Sequence, residues 1–446
     1  MKSTDTRKMT LFALTWPIFI EILLHMLMGN ADTLMLSQYS DHSVAAVGVA
    51  NQILSVVIVM FGFVAAGASI LAAQYLGAKQ EIDAAKISMT SISLNFIFSL
   101  VISLVLFLLS DTILGLMDLP KELMDEASIY MNVVGGFMFI QALIMTISAI
   151  LRSYGYTKDT MYVTIGMNIL NVIGNYLFIF GPFGFPVLGV EGVAYSTIVS
   201  RIIGFIVITF VLILRSQKKL PFRSLYRYER NHVTDLLRIG IPSAGEQLSY
   251  NSSQMIITYF VAQLGTLAIT TKVYVQNLMM FILLFSNAIG QGTQILIGYM
   301  IGEGDIDSAY QRCMKSLKIS IIISTITAVI FYAFHESLIG IFTDDPSIIE
   351  KGALLLLVTV ILEPGRAFNL VVISALRAAG DVKFPVFLGI LSMWGVSVTF
   401  AWFFGIFLEL GLVGIWIGFI ADEWLRGVLM LKRWKSRVWT KKAFVN

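Results

Sequence analysis

Twelve apolar runs divide the chain from end to end. They lie at roughly 11–36, 44–75, 87–110, 127–151, 160–181, 188–214, 236–262, 267–300, 313–334, 351–376, 385–408 and 411–431, with charge, Gly or Pro at the breaks. A helix needs about 20 apolar residues to cross a bilayer, and no loop between these runs is long enough for a soluble domain. The expected fold class is an all-α polytopic membrane protein with twelve transmembrane helices. Composition agrees: 57% of residues are hydrophobic and 13% charged, against about 45–50% and about 25% in soluble domains. The first run follows MKSTDTRKMT. It exceeds the roughly 7–15 residues of a signal-peptide core and lacks an A-x-A site, so it reads as a retained helix.

Basic residues set the orientation. Twenty-four of the 31 Lys and Arg fall on one side of this topology: the N-terminus, alternate loops, the stretch from Arg215 to Arg230 and the tail from Lys432. Only Lys121, Lys272 and Lys351 fall on the other. The positive-inside rule then puts both termini in the cytoplasm and the chain in the cell membrane. A net charge of +3 spread over short loops argues against a nucleic-acid partner. The one cysteine, Cys313, allows no intramolecular disulfide.

The sequence also repeats at an offset of 225. Pro17 and Glu21 match Pro242 and Glu246. Gly67, Ile70, Leu71 and Gly77 match Gly292, Ile295, Leu296 and Gly302, while Leu151, Arg152 and Gly155 match Leu376, Arg377 and Gly380. Six helices per copy preserve orientation, so the copies are parallel repeats about an axis along the membrane normal, as in transporters that alternate access between two lobes. The expected organisation is an N-terminal lobe at 1–214, a basic cytoplasmic connector at 215–235, and a C-terminal lobe at 236–446 with a short cytoplasmic tail.

Polar residues inside apolar runs are the site candidates. Glu21, His25, Met28 and Asp32 are spaced by 4, 3 and 4 and share one helical stripe. A carboxylate at mid-membrane costs about 2.5–3.5 kcal/mol on insertion scales and is a functional candidate by default. At a depth comparable with Asp32 lie Asn171, Asn175 and Thr197. A carboxylate with amide and hydroxyl neighbours offers oxygen ligands to a cation, or a seat for a proton. For Asn171 and Thr197 a second reading stands, that they tie helix to helix.

Glu21 and Glu246 lie nearer the cytoplasmic side, either gating an inner cavity or bonded to a neighbouring helix. In LEPGRAFN, Glu363 and Arg366 flank Pro364 one turn apart; they read as a self-neutralised pair or as a coupling carboxylate restrained by arginine. Gln141 is the repeat counterpart of Arg366. Arg201 and the group Asp422, Glu423 and Arg426 read as intra-lobe ion pairs or snorkelling ends. His25, Met28, Gln141 and Tyr250 are candidates for a substrate cavity, where soft and aromatic groups adapt to amphipathic cations.

The segments TWPIFIE…NADTLMLS, GASILAAQYLGAKQ, LRSYGYTKDT, NILNVIGNYLFIFGPFG, LGVEGVAYSTIVSR and LRAAGDVKFP together resemble the multidrug and toxic compound extrusion (MATE) transporters over nearly the whole chain. The resemblance implies two six-helix lobes and export of amphipathic, often cationic, compounds in exchange for Na⁺ or H⁺. It matches Asp32 to the family's first-helix carboxylate, Asn171 to its fifth-helix asparagine and Thr197 to its sixth-helix hydroxyl. Where many members carry N-x-x-x-D, this chain has Asn171 and Asn175. One carboxylate is thereby lost, which suits proton coupling at Asp32 and leaves open Na⁺ held by one carboxylate and neutral oxygens. Tyr250 stands where some members carry a glutamate, and Arg366 where others carry a carboxylate.

The expected function is therefore secondary antiport of small amphipathic molecules, with H⁺ or Na⁺ as coupling ion. No cofactor is expected, and no metal beyond Na⁺ at Asp32; membrane lipid is the surrounding partner and a monomer the expected unit. A flippase for lipid-linked oligosaccharide or another polar lipid is the alternative. No P-loop, metal-ligand cluster or nucleophile–base set occurs, and the four His are scattered, so neither ATP as direct energy source nor an enzyme is expected.

Overall fold

This computed structural model describes residues 9–117, 119–216 and 220–445, apart from the side chain of Asn30. The basic residues Lys2, Arg7, Lys8, Lys218 and Lys219 used for orientation lie outside the described residues. Twelve long helical segments follow one another: α1 (Leu11–Ser37), α2 (Asp41–Gly77), α3 (Glu81–Leu108), α4 (Lys121–Gly135 with Met138–Ser153), α5 (Thr157–Phe180), α6 (Val190–Arg215), α7 (Arg230–Gln263), α8 (Thr266–Gly302), α9 (Ile306–Ala333), α10 (Pro346–Ala378), α11 (Lys383–Phe407) and α12 (Gly411–Lys435). The duplication is visible in their bounds. α2 and α3 recur as α8 and α9 with every end shifted by 225, and the short helices Ser110–Gly115 and His335–Ile339 occupy matching places. Among the described residues, nine of these helices are apolar and long enough to cross a membrane, and α4 makes a tenth as a bent pair. α7 and α12 are long enough but too polar.

Helix ends follow from local chemistry. Ser40, Asp305 and Asp345 cap α2, α9 and α10 by accepting from the backbone amides of Ser43, Ser308 and Ser347, satisfying donors the helix cannot. The span expected at 127–151 is not continuous: α4 bends by 42° between Gly135 and Met138, after a π-helical turn at Met131–Gly135. Wide turns of this kind break the hydrogen-bond ladder. Here the bend seats Gly136 against Phe107, where a Cβ would come within 3.1 Å of the ring.

α11 holds two π segments, Met393–Val398 and Phe403–Phe407, and α12 packs its glycines on their backbone. A Cβ on Gly414 would lie 2.4 Å from the Phe404 carbonyl, whereas Gly395 has nothing within 4 Å. Gly414→Ala should therefore cost about 1–3 kcal/mol by overpacking, with Gly395→Ala near neutral. Cys313 supplies the measurement. It is fully buried in α9, so its reaction with a maleimide dye during a thermal ramp reports unfolding.

The chain divides into two compact units. One comprises Met1–Met9 and Trp16–Gly240, the other Thr10–Thr15 and Ile241–Asn446. In the first, Gly67 packs on Leu236 and Ile239; in the second, Gly292 packs on Thr15, Leu11 and Leu14. These contacts correspond under the repeat. The boundaries differ from a cut at the 215–235 connector because a glycine on α2 or α8 lets the start of α7 or α1 lie flush against it. Each unit has its own core, around Leu54, Phe61 and Met131 in the first and around Val275, Leu355 and Trp416 in the second.

Candidate ion-coupling site

Within the first unit, α1, α5 and α6 bring together Asp32 and the three residues expected to act with it. Asp32 is 5% exposed. The Asn175 amide donates to Asp32 Oδ1 at 2.5 Å and to Asn171 Oδ1 at 3.4 Å. Asn171 in turn donates to Thr197 Oγ1 at 3.2 Å, and Thr197 donates to the Val193 carbonyl at 2.9 Å. Every donor in this relay points away from the carboxylate except one amide of Asn175. The Asn175 carbonyl oxygen is buried without a hydrogen-bond partner, leaving an acceptor beside a carboxylate, an arrangement that suits a proton or a small cation.

Two further residues stand by the relay: Tyr130, which the sequence reading missed, and Arg201. The Tyr130 phenol of α4, 2% exposed, lies beside Thr197 and Asn51, with Asp32 and Arg201 in its surroundings. Arg201 is buried; its Nη1 contacts the Met138 sulfur at 3.6 Å and its Nε has no partner. It neither snorkels nor forms a close ion pair among the described residues, unlike the expectation for it. Met138 of α4 holds it inside the unit.

Glu21 and Glu246 are each taken up by an arginine of their own unit. Arg152 Nη1 donates to Glu21 Oε1 at 2.9 Å, and Thr160 Oγ1 donates to Oε2 at 3.0 Å. Arg377 binds Glu246 in the counterpart pair, with the same sequence separation of 131. The signal was present in the repeat, because both the glutamates and the arginines match at the same offset.

In the second unit the Glu363–Arg366 pair forms, at 2.6 Å, and belongs to a larger network. Arg366 Nε is 3.7 Å from Glu423, Arg426 binds Asp422 at 2.7 Å and Glu423 at 3.1 Å, and Asn369 donates to Glu423 at 2.9 Å. Glu363 is fully buried with Oε2 unpartnered. Pro364 removes a backbone donor at this point of α10. The Trp424 indole donates to the Ile361 carbonyl at 3.0 Å, approaching over Gly365, where a Cβ would meet it at 2.6 Å. Of the cavity candidates, His25 and Met28 are half-buried on α1, Gln141 is buried with Oε1 unpartnered, and Tyr250 is 41% exposed. Among the described residues, no hydrogen bond joins them to the Asp32 relay.

Two six-helix repeats, spanning helices and a buried carboxylate on an amide–hydroxyl relay define a membrane transporter. The chain belongs to the MatE family of multidrug and toxic compound extrusion transporters: the family profile matches once in each half, at residues 17–177 and 242–403. It is 57% identical over 443 residues to the transporter YisQ of Bacillus subtilis (strain 168), covering 99% of this chain and 97% of that one. It is 30% identical over 437 residues to a Thermotoga maritima protein called "Probable multidrug resistance protein NorM", covering 98% and 94%. A crystal structure described as MATE in the straight conformation matches with a TM-score of 0.90 at 21% identity, over 99% of this chain and 100% of the other. The resemblance read from the motifs is borne out, and the fold is the twelve-helix, two-lobe fold of these transporters. The protein is a transporter, not an enzyme.

Proposed function

We propose that this transporter exports amphipathic, often cationic, organic compounds across the cell membrane in exchange for H⁺ or Na⁺, by alternating access of lobes at 1–214 and 236–446 joined by a cytoplasmic connector at 215–235. Both termini are cytoplasmic and the working unit is a monomer. The observation that carries the reading is Asp32, a membrane-embedded carboxylate buried on a neutral relay with one amide donor. Asn171, Asn175 and Thr197 hold it in place. Occupation by an ion changes the stability of one lobe conformation relative to another, and linkage makes that change act equally on drug affinity. A single carboxylate, with Asn175 at the place of a second, favours H⁺.

Glu363 is the second coupling candidate, restrained by Arg366. Glu21 and Glu246 act through their arginines on the cytoplasmic ends of their lobes. His25, Met28, Gln141 and Tyr250 belong to the substrate path. The test is efflux of a fluorescent cationic dye from proteoliposomes under a pH gradient or a Na⁺ gradient imposed separately. Dye movement driven by one gradient identifies the ion. Movement under neither overturns the antiport reading, and labelled lipid-linked sugars then become the substrates to try.

A further inference from the structure

The second unit carries a buried cation that the antiport reading does not use. Lys272 lies in the second turn of α8 and is 5% exposed. Its ammonium donates to Thr258 Oγ1 of α7 at 2.7 Å, and among the described residues no carboxylate pairs with it. Membrane-embedded lysines normally pair or reach the interface, so a buried one held only by a hydroxyl marks a site. The repeat sharpens the point. Lys272 corresponds to Val47 in the first unit and Ile257 to Asp32, so each unit buries a charge that the other lacks at the matching position, an anion on α1 in the first and a cation on α8 in the second.

α7 supplies an independent observation. Gln247, Asn251, Gln254 and Thr258 are spaced by 4, 3 and 4, one helical stripe, and all four are partly or fully exposed. Gln247 donates to Asn251 at 3.2 Å. This line of amides makes α7 too polar to rank among the apolar spans. Facing lipid it would leave amide groups without partners, so it lines a wet path, and Lys272 stands at the outer end of that line.

We propose that Lys272, with Thr258 and the amide line of α7, is an anion-binding subsite that takes the carboxylate of amphipathic substrates, so that the transported class includes carboxylate-bearing compounds. The inference rests on the export reading above. An ammonium whose one hydrogen bond among the described residues goes to Thr258, on the helix that carries the amide line, recognises a singly charged oxyanion; a substrate carboxylate and a lipid phosphate are its two sources.

The test compares a rhodamine bearing a free carboxylate with its methyl ester, by fluorescence polarisation on the transporter in phosphatidylcholine nanodiscs. Lys272→Met should weaken the free acid by about tenfold or more and the ester by less than about twofold, while Lys272→Arg keeps most of the affinity. Cys313 shielding verifies that each variant is folded. Equal losses for both dyes, or none, overturn the anion subsite and leave the export reading standing. Wild type that binds neither dye overturns the export reading and this inference with it. In nanodiscs containing phosphatidylglycerol, native mass spectrometry counts retained lipid. Lipid lost on Lys272→Met with free-acid affinity unchanged assigns the site to a headgroup and overturns the substrate role.

Discussion

Asp32→Asn is expected to reduce gradient-driven dye efflux to the leak of protein-free liposomes while leaving the protein folded. The wild-type carboxylate accepts one hydrogen bond, from Asn175, and an asparagine carbonyl accepts the same bond, so the relay through Asn171 to Thr197 survives. What is lost is the charge. An amide neither takes a proton in this pH range nor offsets a cation, so ion occupancy no longer distinguishes the two lobe conformations. The coupling forfeited is of the order of 1–3 kcal/mol, about 5–150-fold in affinity. Uphill movement stops even if dye still binds. Initial efflux rates in proteoliposomes, with the thermal midpoint from Cys313 labelling as control, decide the matter; a variant that exports at the wild-type rate removes Asp32 from the mechanism.

The largest stability effects should come from the duplicated ion pairs. Glu21 is 4% exposed and held by Arg152 and Thr160. Glu246 is 8% exposed and has no hydroxyl at the place of Thr160, since the repeat puts Pro385 there. Removing an arginine leaves a buried carboxylate uncompensated, which costs about 3–5 kcal/mol, whereas removing both charges is far cheaper. Arg377→Met should therefore lower the unfolding midpoint more than Arg152→Met, and the doubles Glu21→Gln/Arg152→Met and Glu246→Gln/Arg377→Met should recover most of the loss. Single variants no less stable than their doubles would mean that the pairs contribute little to either lobe.

Particular residues show what the sequence could carry. Apolar runs and the repeat located all twelve helical segments because hydrophobicity and helix length are local properties, and the matched ends of α2/α8 and α3/α9 follow from them. The relay Asp32–Asn175–Asn171–Thr197 was legible because helical spacing and depth suffice to bring those residues together. The bend in α4 and the π turns of α11 were not, because they depend on what Phe107 and Gly414 pack against. Arg201 was misread for a similar reason. An arginine within an apolar segment reads as paired or snorkelling, but its three-dimensional neighbours are Met138, Tyr130 and a more distant Asp32. The extension of the Glu363–Arg366 pair to Asp422, Glu423 and Arg426 required two helices far apart in the chain to meet.

The polarity of α7 bears on how the chain is made. A helix with amides along one stripe partitions poorly from the translocon into lipid when judged alone, and α12, with Asp422, Glu423 and Arg426, has the same handicap. Both must enter the bilayer already sheltered by more apolar neighbours, α8 for α7 and α10 with α11 for α12. Biogenesis of the second half is therefore cooperative among helices, whereas the first half, with apolar segments from α1 to α6, is suited to insertion one helix at a time.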